Sequence, residues 1–178
     1  EAVYEAAAKE AKGVDIRTVQ KGNPDQVLED ERVVRAKDNG QVRAQLDAGF
    51  ANLAAGTGWL WSSDALINAV DVLFVDEAGQ MSLANVAWMP AAADSFVLLG
   101  DPQQLAQPLR GTHPAGAPAP AFGHVLRSRA TIPPDEGLFL ETTWRLHPEL
   151  CRFTSEVFYD ERLASEPHLV VQRLIGDD

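Results

Sequence analysis

Two apolar runs that each end abruptly in a polar loop constrain the fold of this sequence most strongly. Residues 72–75 run into Asp76 and Glu77, and residues 96–99 run into Gly-Asp-Pro-Gln-Gln. Short runs that are almost continuously apolar are typical of strands buried on both faces of a parallel sheet. Ligands of open α/β sheets bind at the carboxyl ends of the strands, so we expect the polar groups of both loops to face one ligand.

Helical and strand-like segments alternate along the rest of the chain. Strands are predicted at residues 14–19, 50–55, 70–75, 96–99, 138–140 and 169–171, and helices at residues 1–11, 41–46, 63–69, 82–92, 121–127 and 147–158. Ser82 is the predicted N-cap of its helix, and residues 22–39 and 106–120 are predicted to be loops. This alternation predicts an α/β fold in which a parallel sheet is flanked by helices.

Composition and charge narrow the functional classes. The 178 residues, 46% apolar and 23% charged, fit one folded domain, or one domain and part of another. No apolar stretch reaches the roughly 18 residues needed to span a bilayer, so we expect no membrane partner. The single cysteine, Cys151, excludes an internal disulfide and a cysteine-based zinc cluster, which fits a cytoplasmic protein. The net charge of −11 argues against simple coating of nucleic acid.

Three ordered motifs resemble motifs II, III and IV of the superfamily-1 helicases. They are Val-Asp-Glu-Ala-Gly-Gln at 75–80, Leu-Gly-Asp-Pro-Gln-Gln-Leu at 99–105 and Thr-Trp-Arg-Leu-His-Pro-Glu-Leu at 143–150. Phe-Thr-Ser-Glu-Val-Phe-Tyr, which begins the segment 153–163, extends the third match, and Ala-Gly-Thr at 55–57 resembles motif Ic. The pattern is most similar to the branch that translocates 5′ to 3′ and includes RNA-surveillance helicases and nuclease-fused relatives. The resemblance covers about residues 50–163.

This resemblance implies an ATP-dependent helicase or translocase that acts on single-stranded DNA or RNA and hydrolyses Mg²⁺-bound ATP. It implies a RecA-like P-loop NTPase fold that is incomplete here, with residues 1–135 as the distal part of a first RecA-like domain and residues 136–178 as the beginning of a second. The parent protein could also carry a fused nuclease or another domain. The sequence contains no Gly-x-x-x-x-Gly-Lys-Ser/Thr phosphate loop, so we expect the isolated chain to hydrolyse ATP poorly or not at all.

The resemblance assigns roles in ATP hydrolysis to five residues. Asp76 matches the Mg²⁺-associated acid, and Glu77 matches the base that activates the attacking water. Gln104 matches the γ-phosphate sensor, since its amide can hydrogen-bond to both phosphate and water. Arg145 matches the arginine that stabilises charge on the transferred phosphoryl group from the second domain. Trp144 either stacks on the nucleotide base or packs in an interdomain core.

The nucleic-acid site is predicted from fewer residues. Gly56 and Thr57 can offer a backbone amide and a hydroxyl to a strand phosphate, although a strand-ending turn explains them nearly as well. On resemblance alone, Gln80 links the metal site to the strand-binding surface. Trp59 and Trp61 could stack on bases, but we expect both to pack in the core.

Simpler explanations stay open for the same residues. Asp76 and Glu77 could cap a helix after a core strand, Gln104 could be a surface turn residue, and Arg145 could form an ordinary salt bridge. Asp101 either positions its loop or joins the metal shell. The alternative function is a degenerate RecA-like module that binds a partner or nucleic acid without ATP turnover. A non-nucleotide α/β hydrolase lacks its nucleophile, because no Gly-x-Ser-x-Gly occurs.

Overall fold

The computed structural model describes residues 9, 13, 15–22, 30–105, 116, 119–127 and 129–173. Within these ranges short strands and helices alternate in a mixed α/β arrangement. The strands are β1 Thr18–Lys21, β2 Val33–Ala36, β3 Leu53–Ala55, β4 Val70–Val75, β5 Ala93–Leu98, β6 Thr142–Thr143 and β7 Ala164–Ser165. The α-helices are α1 Asn39–Asp47, α2 Gly58–Trp61, α3 Leu83–Val86, α4 Ala121–Leu126 and α5 Pro148–Phe158, and 3₁₀ turns span Asp64–Leu66, Met89–Ala92 and Pro167–Val171.

All strand pairs among the described residues are parallel, as the sequence predicts. β1 lies between β2 and β3, β4 pairs with β5, and β6 pairs with β7. In the described part of the chain the strands therefore form small separate sheets. Parallel neighbours require crossover connections rather than hairpins, and this confirms the α/β class.

The sheet of β4 and β5 is buried on one face only. Leu73 and Val75 are 4% and 7% exposed and belong to the main core, with Phe96 packed against it. Val72 and Phe74 alternate with them and are 42% and 62% exposed. The prediction that β4 is buried on both faces is therefore wrong, because nothing in the described chain covers the second face.

The register of β4 and β5 places the two polar loops side by side. Val75 is the register partner of Leu98. The Leu99 N–H donates to the Val75 carbonyl at 2.8 Å, and the Ala78 N–H donates to the Leu99 carbonyl at 2.8 Å. The loops that follow the two strands therefore begin in direct backbone contact, as the sequence predicts.

The helix predicted at 82–92 is divided into two short turns. Ser82 caps α3 as predicted, because its Oγ accepts the Asn85 N–H at 3.3 Å. Pro90 has no N–H to donate and disfavours the helical conformation in the residue before it. The chain therefore continues as the 3₁₀ turn Met89–Ala92 rather than as a longer helix.

Four other predicted elements are wrong or much shorter than expected. β2 lies inside the predicted loop 22–39, because its adjacent valines favour a strand despite charged neighbours. Residues 138–140 form no strand, and pairing in that region begins at β6. Residues 169–171 belong to a 3₁₀ turn that begins at Pro167. The helix predicted at 63–69 is reduced to the 3₁₀ turn Asp64–Leu66.

The remaining predictions agree more closely with the structure. β4 has the predicted bounds, α1, α4 and α5 lie within two residues of theirs, and β1, β3 and β5 overlap the predicted strands. The helix at 1–11 and the loop at 106–120 fall almost entirely outside the described residues. The domain boundary after residue 135 stays a prediction. None of the helices that the structure describes combines the length and apolarity needed to cross a membrane.

Candidate active site

Three side chains from the loops after β4 and β5 meet at the carboxyl end of this sheet. Gln80 Nε2 donates to Gln104 Oε1 at 2.7 Å and, more weakly, to Glu77 Oε2 at 3.3 Å. Glu77 and Gln104 are exposed, whereas Gln80 is partly buried between them. The structure therefore brings together a carboxylate and two amides that the sequence predicts at one site.

The backbone at Glu77 has an unusual conformation. Its φ of 53° is in the left-handed region, which residues other than glycine, asparagine and aspartate rarely adopt. Asp76 Oδ1 accepts the Glu77 N–H at 2.9 Å, and the Glu77 carbonyl accepts the Gln80 N–H at 3.0 Å. A conformation of this kind costs about 1–3 kcal/mol and persists only where its surroundings enforce it. Here the tight turn points the Glu77 carboxylate towards Gln80.

Two glycines allow the loops to touch through their backbones. A Cβ on Gly79 would collide with the Asp101 carbonyl oxygen. Gly100 has a φ of 144°, and a Cβ there would lie 3.1 Å from the backbone nitrogens of Ala78 and Gly79. Gly79 has no room for a side chain, and Gly100 has little room and a backbone conformation that favours glycine. The loop that carries Gln104 can therefore lie directly against the loop that carries Glu77 and Gln80.

Asp101 organises the loop after β5. Its Oδ1 accepts the Gln103 N–H at 2.9 Å, and its carbonyl accepts the Gln104 N–H at 3.3 Å. Its Oδ2 accepts the Tyr159 hydroxyl at 2.6 Å. Of the two roles considered for Asp101, positioning of the loop is the one that these bonds support.

Tyr159 also belongs to this region, although sequence analysis assigns it no role. It lies at the C-cap of α5 and is partly buried. Burial and the hydrogen bond to Asp101 raise the pKa of the Tyr159 hydroxyl well above its ordinary value. The Phe-Tyr pair that extends the third motif marks the residue, but sequence alone does not indicate its partner 58 positions away.

Arg145 and Trp144 lie at the surface just after β6. The Arg145 N–H donates to Thr143 Oγ1 at 3.3 Å. Within the described chain the Arg145 guanidinium forms no hydrogen bond and no ion pair, so the ordinary salt bridge considered for it is not formed. Nor does it bond to Glu77 or Gln104 in that part of the chain. Trp144 is 66% exposed, and its ring centroid lies 5.9 Å from that of His168. The roles predicted for both residues stay predictions.

Two of the residues predicted to contact nucleic acid follow β3, and the third, Gln80, lies after β4. Gly56 and Thr57 are exposed, and Thr57 occupies the N-cap of α2 without using its side chain as a cap. Trp61 is 7% exposed and packs in the core, as expected. Trp59 is 88% exposed, so the expectation of core packing is wrong for this residue. Trp59 and Trp61 are two positions apart on a helix, so their side chains point in nearly opposite directions and cannot both face the core.

Asp76 suits a Mg²⁺ ion that is bound together with nucleotide phosphates. Its Oδ1 accepts the Glu77 N–H, and its Oδ2 has no hydrogen bond within the described residues. Nowhere in the described chain do three or more His, Cys, Asp or Glu side chains gather to hold a metal by themselves. Mg²⁺ usually keeps several waters and takes one or two carboxylates plus substrate phosphates, so the Asp76 carboxylate would be one ligand of such an ion.

When the chain is compared with known protein families and with curated proteins, neither comparison finds a match. An assignment of function therefore depends on the motifs and on the positions of their residues in the structure.

Proposed function

We propose that this chain belongs to an ATP-dependent helicase or translocase that acts on single-stranded nucleic acid. The observation that carries the proposal is the contact of Gln80 with both Glu77 and Gln104, a residue 24 positions further along the chain. A cap or a surface turn would not require these side chains to meet. A water-activating carboxylate beside a phosphate-sensing amide requires it. A RecA-like arrangement of two domains is part of the same proposal.

The proposed reaction is hydrolysis of the terminal phosphate of ATP. Mg²⁺-ATP supplies the phosphoryl group and the cation that neutralises its charge, and the free Oδ2 of Asp76 would hold that cation. Glu77 accepts a proton from the attacking water. Gln104 orients that water and hydrogen-bonds to the phosphate. Gln80 Nε2 donates to both side chains and so holds the Gln104 amide at a fixed distance from the Glu77 carboxylate.

Arg145 completes the proposed site from the second domain. Its unpaired guanidinium at the surface of the described chain is free to contact the transferred phosphoryl group when the two domains close. A planar cation in that position stabilises charge that develops on the phosphoryl oxygens.

Nucleic acid is proposed to bind on the side of β3. Within the described residues the Thr57 hydroxyl forms no hydrogen bond, so it can donate to a strand phosphate, and the exposed ring of Trp59 is available to stack on a base. The net charge of −11 is compatible with a grip that uses backbone amides and a few polar groups. It argues against binding through a broad basic surface.

The proposal is tested by ATP hydrolysis with and without single strands. The longest reading frame that contains this chain is assayed with ATP and Mg²⁺ in the presence of single-stranded DNA, single-stranded RNA or neither. Turnover that one of the strands stimulates supports the proposal and identifies the nucleic acid. A folded protein that binds strands without turnover contradicts it and favours the degenerate RecA-like binding module.

A further inference from the structure

One hydrogen bond joins the end of α5 to the loop that carries Gln104. The Tyr159 hydroxyl donates to Asp101 Oδ2 at 2.6 Å across 58 positions of sequence. A phenol that donates to a carboxylate forms a charge-assisted hydrogen bond, which is shorter and stronger than one between neutral groups. The contact links the region predicted to begin a second domain to the candidate active site of the first.

The bond reaches the active site through Asp101. The backbone carbonyl and Oδ1 of Asp101 close the turn by accepting the N–H groups of Gln104 and Gln103. With Oδ2 occupied by Tyr159, both oxygens of the carboxylate are fixed. Gln104 leaves this turn in the direction of Gln80, to which it is bonded at 2.7 Å. A shift of Asp101 would therefore move Gln104 directly.

The Tyr159 ring also packs against Phe139. Its centroid lies 6.0 Å from that of Phe139 in a tilted arrangement, and the Arg162 guanidinium lies 4.6 Å from the Phe139 centroid. Arg162 Nη1 also donates to the Ile132 carbonyl at 3.1 Å. The ring therefore packs against a supported surface, and its hydroxyl has a defined position.

The backbone that follows Tyr159 is constrained as well. Asp160 and Glu161 have φ values of 52° and 61°, which places two successive non-glycine residues in the left-handed region. Thr131 Oγ1 donates to Asp160 Oδ2 at 2.9 Å, and the Glu161 N–H donates to the Ser155 carbonyl at 3.1 Å. Strained conformations persist where surrounding contacts enforce them. Here they fix the chain where α5 ends and Tyr159 projects.

We propose that Tyr159 is a positioning residue that acts through Asp101 to hold Gln104 in its contact with Gln80 and Glu77. The position of α5 thereby controls the geometry of the candidate active site. The kinetic part of this inference rests on the proposed function, because it assigns Gln104 a role in hydrolysis. The structural part, that Tyr159 orders the loop, does not depend on turnover.

The test uses Tyr159→Phe, which removes the hydroxyl and keeps the ring on Phe139. The matched control is Thr154→Val, which removes another hydroxyl of α5, one that donates to the Leu150 carbonyl at 2.9 Å. Hydrogen–deuterium exchange of the Gln103 and Gln104 amides is measured in both variants. We expect faster exchange in Tyr159→Phe and unchanged exchange in Thr154→Val, because the Thr154 hydroxyl is bonded within α5. Unchanged exchange in Tyr159→Phe would overturn the inference, whether or not the protein hydrolyses ATP.

Kinetics then separate positioning from general stability. In the full reading frame, Tyr159→Phe should lower kcat about tenfold, as expected for one lost charge-assisted hydrogen bond, and leave KM for ATP unchanged. Because the effect passes through Asp101, Asp101→Ala combined with Tyr159→Phe should have the same kcat as Asp101→Ala alone. Additive losses in the double variant, or a rise in KM with unchanged kcat, would overturn the positioning role. Exchange can rise in Tyr159→Phe while the wild-type protein shows no ATP turnover. In that case the proposed function fails and the structural part of the inference stands.

Discussion

Gln80 Nε2 lies 2.7 Å from Gln104 Oε1 and 3.3 Å from Glu77 Oε2, so one side-chain amide joins the loops that follow two neighbouring strands. The loops can approach this closely because there is no side chain at Gly79 or Gly100. The contact makes the two loops one unit, in which a displacement of either loop changes the position of the Glu77 carboxylate relative to the Gln104 amide.

Loss of the Gln80 amide should impair turnover without unfolding the protein. Gln80→Leu removes the bridge, and we expect kcat for ATP to fall about tenfold, the effect of one hydrogen bond of roughly 1.5 kcal/mol. The matched control is Gln103→Leu. Gln103 precedes Gln104 and is exposed, and its side chain forms no hydrogen bond among the described residues. Equal kcat values for the two variants in a steady-state ATPase assay would contradict the bridging role.

Relief of the backbone conformation at Glu77 should stabilise the fold. Glycine adopts a φ of 53° without steric cost, so Glu77→Gly should raise the free energy of unfolding by about 1 kcal/mol. The variant should also lose ATP hydrolysis, because the carboxylate is gone. Asn68→Gly, at a φ of 51°, should gain less, since asparagine tolerates this region. Urea unfolding of both variants measures which one gains more stability. A lower free energy of unfolding in Glu77→Gly would show that the turn is not strained.

Trp59 and Trp61 should respond in opposite ways to truncation. Trp61→Ala opens a cavity in the core and should lower the free energy of unfolding by about 3–5 kcal/mol. Trp59→Ala should change stability by less than about 0.5 kcal/mol but weaken binding of a single strand by about 1–3 kcal/mol. Trp88→Ala, at another exposed tryptophan, is the control in fluorescence anisotropy with labelled oligonucleotides. Unchanged affinity in Trp59→Ala would exclude base stacking at this position.

The raised pKa of Tyr159 predicts a pH-dependent contribution to stability. Burial and the bond to Asp101 favour the neutral hydroxyl in the folded state. This contribution is complete below the ordinary tyrosine pKa of about 10 and is lost as pH rises through the higher folded value. The destabilisation caused by Tyr159→Phe should therefore be constant near neutral pH and shrink in alkaline solution. Denaturant unfolding of both proteins across this range checks it, and a difference that grows with pH would contradict the contact.

Local pattern predicts the parts of the fold in which local preferences and packing agree. β4 has its predicted bounds because Val70–Val75 is almost continuously apolar and β-prone. Local pattern does not reveal β2, because its two valines are surrounded by charged residues. The helix predicted at 82–92 exceeds the observed one because Pro90 ends the regular α-helical hydrogen bonding.

In the candidate site, too, local sequence pattern predicts some contacts, whereas others depend on tertiary packing. Polar residues after two apolar strands are sufficient to predict that Glu77, Gln80 and Gln104 approach one another, since the parallel register fixes where the strands end. The partner of Asp101 could not be predicted, because Tyr159 reaches it through tertiary packing across 58 positions. Nor does any local pattern show that Trp59 is exposed while Trp61 is buried.

The most direct test of the central claim is strand-stimulated ATP hydrolysis by two glutamate variants of the full reading frame. Glu77→Gln keeps the size of the side chain and removes its basicity, and Glu31→Gln makes the same change at an exposed turn residue. We expect Glu77→Gln to lower kcat at least about 100-fold with little change in ATP binding, and Glu31→Gln to match the wild type. Equal turnover in the two variants would show that Glu77 is not the base and would contradict the proposed site.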